Sequence, residues 1–173
     1  MREHDPRCEG ADDQKLLRDV ADYGWHVIKV LDQAGAPGWA YSIGLFHNFG
    51  HPEIIVFGEG LDLMHSIINS IGDDVRSGKT FEVDKQYPDL IEDYSCTFKR
   101  VAQIWHDFFL AFASRFYKGT EYPVRQCFWP DFDNQFPWEA GFSEDLVSTQ
   151  PLLFNDDIAS ARVNGLVTSL EDL

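Results

Sequence analysis

Apolar positions recur along the chain with two periods, about 3.6 residues in some stretches and two in others. In "ADDQKLLRDVADYG", Leu16, Leu17 and Val20 fall on one side of a helix, Asp12 or Asp13 can cap its start, and Gly24 suits its end. "WHVIKVLD" reads as a strand of mixed burial, broken by the Gly and Pro of "QAGAPG". "WAYSIGLF" and "EIIVFG" read as two more strands, the second apolar enough to be buried on both faces. From Leu61 to Ser77 the helical period returns, with Leu61, Met64, Ile68, Ile71 and Val75 on one face, His65 on that same side, and Gly78 as the stop. "TFEV" and "CTFKRV" are short strand candidates, separated by "DKQYPDLIEDY", which reads as loop. "DFFLAFASRFYKG" predicts one amphipathic helix: Asp107 caps it, Phe108, Phe109, Phe112 and Phe116 form the buried stripe, and Gly119 ends it. "PVRQCFW" predicts a last central strand, and Asp133 with Asn134 the tip of a turn before "FPWE".

The second and third strands are joined by only about six residues, too few for a parallel crossover of a dozen or more, so they pair antiparallel. The expected fold is a single α+β domain over residues 11–173, after a flexible N-terminus of residues 1–10. In it a largely antiparallel sheet is covered on one face by two or three helices.

Composition narrows the function. The 173 residues carry a net charge of −15, and the last third holds ten acidic residues against two basic ones. Such a surface repels phosphate backbones and anionic membranes, and it steers a basic partner. No apolar h-region opens the chain and no run approaches the ~18 apolar residues of a membrane span. A cytoplasmic location is the expectation. Cys8, Cys96 and Cys127 have no CxxC spacing and imply neither a disulfide framework nor a zinc ribbon. Cys96 and Cys127 sit in strand-like apolar surroundings and read as inert packing residues. With no GxGxxG, no GxxxxGK[ST] and no complete EF-hand loop in "DFDNQ", no cofactor is expected.

The most suggestive chemistry is "HNFGHPE", which puts His47, His51 and Glu53 between two strands. Helical zinc sites place paired histidines on one helical face, and here Gly50 and Pro52 forbid a regular helix, so no metal is expected. His51 and Glu53 can instead form an acid and base pair, since a carboxylate orients an imidazole that titrates near neutrality. In the simplest reading they fix a hairpin by hydrogen bonds.

"GWAYSIGLFHNFGHPEIIVFG", then "SIINSIGDDVRSG", then "VRQCFWPDFDNQFPWEAGF" with "QPLLF" resemble the bacterial domain-of-unknown-function family 4262, over about residues 23–153. Family members carry a "GHPE" segment after a "Y-[ST]-[IV]-GL" strand and a "WPDxxGxFPWExG" tail. Gln135 departs from this pattern, standing where a Gly of that turn is expected. The resemblance implies site residues without naming a reaction: Tyr41, Ser42, Gly44, His51, Pro52 and Glu53 from the first motif, and Trp129, Asp131, Pro137, Trp138 and Glu139 from the second. The two motifs are expected to meet in one aromatic-walled pocket.

Two functions follow as expectations. One is a non-catalytic binding or immunity-type inhibitor protein that recognises a basic partner, such as a cognate toxin, through an acidic face containing Tyr41, Ser42, Trp129, Asp131, Asp133, Trp138 and Glu139. The alternative is a small enzyme, such as a hydrolase, using His51 with Glu53 or Asp131 as acid and base.

Overall fold

All five residues of "EIIVF" are buried, and a strand buried on both sides needs a layer on each side of the sheet. The computed structural model describes residues 11–33 and 35–167, so the expected flexible N-terminus, residues 1–10, lies outside the described residues. Six strands form one sheet: β1 (His26–Val30), β2 (Trp39–Ile43), β3 (Glu53–Phe57), β4 (Tyr87–Ile91), β5 (Tyr94–Arg100) and β6 (Val124–Phe128). Their order is β1-β2-β3-β6-β5-β4. β2 and β3 are antiparallel as expected, with Tyr41 opposite Ile55. β3 and β6 form the one parallel pair among the described strands, with Glu53 opposite Val124 and Val56 opposite Cys127.

The helices are α1 (Ala11–Arg18), which runs into a π-helical turn at Asp19–Tyr23, α2 (Leu45–Phe49), α3 (Leu61–Arg76), α4 (His106–Phe109), α5 (Ala111–Tyr117) and α6 (Ile158–Ala161). On one face of the sheet, Tyr41, Ile43, Ile55 and Phe57 pack with Leu16 of α1, Val20 of the π-helical turn, Phe109 of α4 and Ala113 of α5. On the other, Ala40, Ile54, Val56 and Phe98 pack with Met64, Ile67, Ile68 and Ile71 of α3. The single α+β domain stands, but its helices cover both faces rather than one. The alternation of Ile54 and Val56 against Ile55 and Phe57 is what requires the second layer.

Three local expectations change. "TFEV" is not a strand, and β4 lies inside the segment expected to be loop; Pro88 is tolerated there because β4 is the edge strand and needs no N–H on its outer side. "HNF" is not a turn but part of α2, which opens after Gly44 (φ 120°) and closes at Gly50 (φ 68°). The helix expected over "DFFLAFASRFYKG" breaks at Leu110 (φ −127°, ψ 47°) into α4 and α5. The break leaves Phe109 buried but Phe112 exposed, so the four phenylalanines do not form one stripe. Cys96 and Cys127 are buried free thiols. Among the described residues no helix is long and apolar enough to cross a membrane.

Candidate functional site

Glu53 opens β3 with its carboxylate fully buried on the α5 side of the sheet. Oε2 accepts from Ser42 Oγ at 2.6 Å, and Oε1 accepts from Gly44 N at 2.7 Å, from Phe46 N at 3.4 Å and from the Tyr117 hydroxyl. Ser42 in turn accepts from Ile54 N at 2.9 Å. This explains the Gly at 44: a side chain there would meet the Gly24 carbonyl at 2.7 Å and push the amide away from Glu53. Burial pushes the Glu53 carboxyl up, against the pull of hydrogen bonds from Ser42, Tyr117, Gly44 and Phe46. Burial and the Glu53 charge likewise raise Tyr117.

His51 lies on the opposite side. Its Nδ1 donates to the Pro52 carbonyl at 2.8 Å and its Nε2 accepts from Phe81 N at 3.1 Å. The ring sits edge-on to Phe81, a member of the α3-side core. Burial holds His51 below its usual pKa. His47 is exposed, edge-on to Phe116. The two histidines and the glutamate therefore do not converge. Both nitrogens of His51 and both oxygens of Glu53 are engaged by the chain itself, which is the hydrogen-bonding role. Tyr41 is also buried, its hydroxyl accepting from Phe112 N at 3.3 Å.

The second motif sits at the other end of the same strand pair. Trp129 donates from Nε1 to the Phe57 carbonyl at 2.8 Å, at the C-terminal end of β3. At about 3.3 Å per residue, that is roughly 13 Å along the strand from Glu53. The expectation of one pocket shared by the two motifs is thus corrected: β3 runs parallel to β6, so "HPE" lies where both strands begin and "WPD" where both end.

Asp131 shapes the loop after β6. Its Oδ1 accepts from Asp133 N and Gln135 N, both at 2.9 Å, and its Oδ2 accepts from Ser143 N at 2.9 Å. Against partial desolvation, these backbone donors from Gln135, Ser143 and Asp133 hold its carboxyl below the usual range. The left-handed position of the turn is Asn134 (φ 59°), not Gln135. Counted along "WPDxxGxFPW" the Gly falls on Asn134, so the expectation placed on Gln135 is corrected; Asn is, after Gly, a residue that readily adopts this conformation, and the turn keeps its shape. Glu139 accepts from Phe136 N at 2.6 Å. Trp138 stacks on Phe136 with centroids 5.2 Å apart and meets Phe128 edge-on, closing a small third core.

This tightly braced loop presents Phe132, 87% exposed, over Tyr94 of β5 at 6.3 Å. Beneath it lies a cavity of about 310 Å³ lined by Trp129, Pro130, Tyr94, Ile91, Leu146 and Glu59. Burial pushes the Glu59 carboxyl up, and no cation pairs with it among the described residues. The flanking segments carry no basic residue at all, neither between Lys85 and Lys99 nor between Arg125 and Arg162. They contribute Asp89, Glu92, Asp93, Asp133, Glu144 and Asp145. Sequence reasoning found Trp129, Asp131 and Asp133 but missed Glu59, Tyr94 and Phe132; the two cation-free runs were the available signal. Of the other expected binding residues, Trp138 and Glu139 brace the loop, and Tyr41 and Ser42 are buried far from it. Among the described residues no group of three or more His, Cys, Asp or Glu could hold a metal ion.

A family model described as "Domain of unknown function (DUF4262)" matches residues 19–143. No curated protein and no solved structure matches the chain.

Proposed function

The chain belongs to the DUF4262 family, and because that family's description names no activity, we propose from the geometry that this is a non-catalytic binding protein for a basic partner protein. The contact face is the loop after β6 with the β4–β5 hairpin, and the cavity beneath Phe132 receives one lysine or arginine side chain. The observation that supports this most is the exposed Phe132, held beside an apolar cavity lined by two carboxylates, of which Asp131 is taken up by backbone donors and Glu59 has no cation of its own among the described residues. Aromatic walls with a carboxylate suit an ammonium or guanidinium, whose attraction to ring faces is worth ~0.5–2 kcal/mol. Exposed aromatic anchors inside a charged rim are also the usual energetic arrangement of an interface. The cavity volume lies at the lower end of ligand pockets, about 300–1,000 Å³, which fits a side chain.

The hydrolase alternative would need His51 with Glu53 or Asp131 free to move a proton, and each of these groups is already engaged within the chain. Selection from a random peptide display library tests the proposal. The protein should enrich Lys or Arg next to an apolar residue, and Phe132→Ala or Glu59→Gln should remove the enrichment. Peptides of no preferred charge, or enrichment unchanged in both variants, would contradict it.

A further inference from the structure

A second, larger cavity lies along the outer edge of β1, which pairs with β2 alone. Its volume is about 560 Å³, and it runs between α1 on one side and α3 on the other. The π-helical turn at Asp19–Tyr23 forms part of its wall. Such turns are rare and recur at functional sites, because the extra residue re-aims the side chains around it. Here the turn brings the Asp19 carboxylate to 2.6 Å from His26 Nδ1 on β1. That bond fixes the Nδ1–H of His26 on Asp19 and leaves Nε2 without a partner among the described residues.

The charges in this groove are unevenly matched. Asp19 also pairs with Lys15 at 3.2 Å, and Asp13 pairs with Arg115. Lys29 is exposed in the groove with no ion-pair partner among the described residues. His65 of α3 lines the same groove; burial and the nearby charges of Lys29, Lys15 and His26 hold it below its usual pKa, with Asp62 opposing. Each lining carboxylate is therefore already answered, and the basic groups left without a partner among the described residues are one ammonium and two imidazoles, beside the neutral Asn69 amide and Tyr23 hydroxyl. In a chain of net charge −15 this is a local exception. Leu16, Ile28 and Phe112 add an apolar wall.

We infer that this groove is a binding site for a small organic acid that carries a hydroxyl group and an apolar body. The anionic head meets Lys29 and His65, the hydroxyl donates to Nε2 of His26, and the body lies against Leu16, Ile28 and Phe112. The site is independent of the protein-binding face, which lies at the other end of the sheet order.

Calorimetric titration with 3-phenyllactate tests it, beside hydrocinnamate, which lacks the hydroxyl, 3-phenylpropanol, which lacks the charge, and phenethylamine, which reverses it. Phenyllactate should bind best. Hydrocinnamate should bind about 2- to 12-fold more weakly, the equivalent of one hydrogen bond. Lys29→Met should abolish the preference for the acid over the alcohol, and His26→Phe should erase the difference between phenyllactate and hydrocinnamate. Phe132→Ala and Glu59→Gln should leave the affinities of the two acids and the alcohol unchanged, and the amine is titrated in the Glu59→Gln protein so that the cavity beneath Phe132 does not capture it. The inference fails if phenyllactate does not bind the folded wild-type protein, if the amine binds the Glu59→Gln protein as well as the acid does, or if the Lys29 and His26 variants, shown folded by circular dichroism, keep the wild-type order.

Discussion

Replacing Glu53 by Gln tests the buried carboxylate through the pH dependence of stability. The folded protein holds this group fully buried with four donors around it, and burial raises its pKa. A carboxyl whose folded pKa exceeds its unfolded value binds more protons when folded, so its contribution is fully favourable below the unfolded value and is lost as pH rises through the folded one. Each tenfold difference in proton affinity between the two states corresponds to about 1.4 kcal/mol. The Gln side chain keeps a carbonyl for Gly44, Phe46 and Tyr117, but its amide faces Ser42, whose hydroxyl must then turn away while still accepting from Ile54. The Ser42 oxygen can accept from that amide as well, but its buried proton is left without an acceptor, which costs about 1–3 kcal/mol. Urea unfolding of both proteins between pH 5 and pH 8 isolates the effect, because all other titrating groups cancel in the difference. The variant should be less stable by about 1–3 kcal/mol at pH 5, and the gap should shrink as pH rises. A gap that widens with pH would refute a raised Glu53 pKa, and Glu53→Ala costing no more than Glu53→Gln would refute the four-donor arrangement.

Gly72→Ala should destabilise by about 1–3 kcal/mol, since a Cβ there would lie 2.4 Å from the buried Trp25 ring; the added change Trp25→Phe should recover part of the loss in the same urea assay. His51→Ala should cost about 1–3 kcal/mol by leaving the buried Phe81 N–H without an acceptor. Because burial depresses His51, the wild type should also lose stability as pH falls below the ordinary histidine value, and the variant should lose less over that range. Asp131→Ala should speed amide hydrogen exchange at Asp133, Gln135 and Ser143, the three donors to its carboxylate, while exchange in α3 stays unchanged.

Much of the fold was legible because burial imposes period on sequence. The continuous apolar run of "EIIVF" and the 3.6-residue spacing of Met64, Ile68, Ile71 and Val75 became β3 and α3. What failed was decided by tertiary context. The break at Leu110 follows no Gly or Pro, and β4 contains a proline that only its edge position makes tolerable. The motifs located structural braces better than chemistry. Glu53 and Asp131 stand out as polar residues because buried backbone donors need acceptors, and that need looks the same in sequence as a catalytic one. The pairing of His26 with Asp19 was hidden, since it depends on a π-helical turn that no local pattern announces.

The proposed contact site lies where β3 and β6 end and not at the "HPE" segment. Titrating the protein labelled with ¹⁵N with N-acetyl-arginine methylamide, and following its amide resonances, tests this most directly. Saturable shifts are expected, confined to Glu59, Tyr94, Trp129 and Phe132 and their neighbours, weakened by salt and lost in Glu59→Gln. Shifts centred on His51 and Glu53, or none at the cavity beneath Phe132, would contradict it.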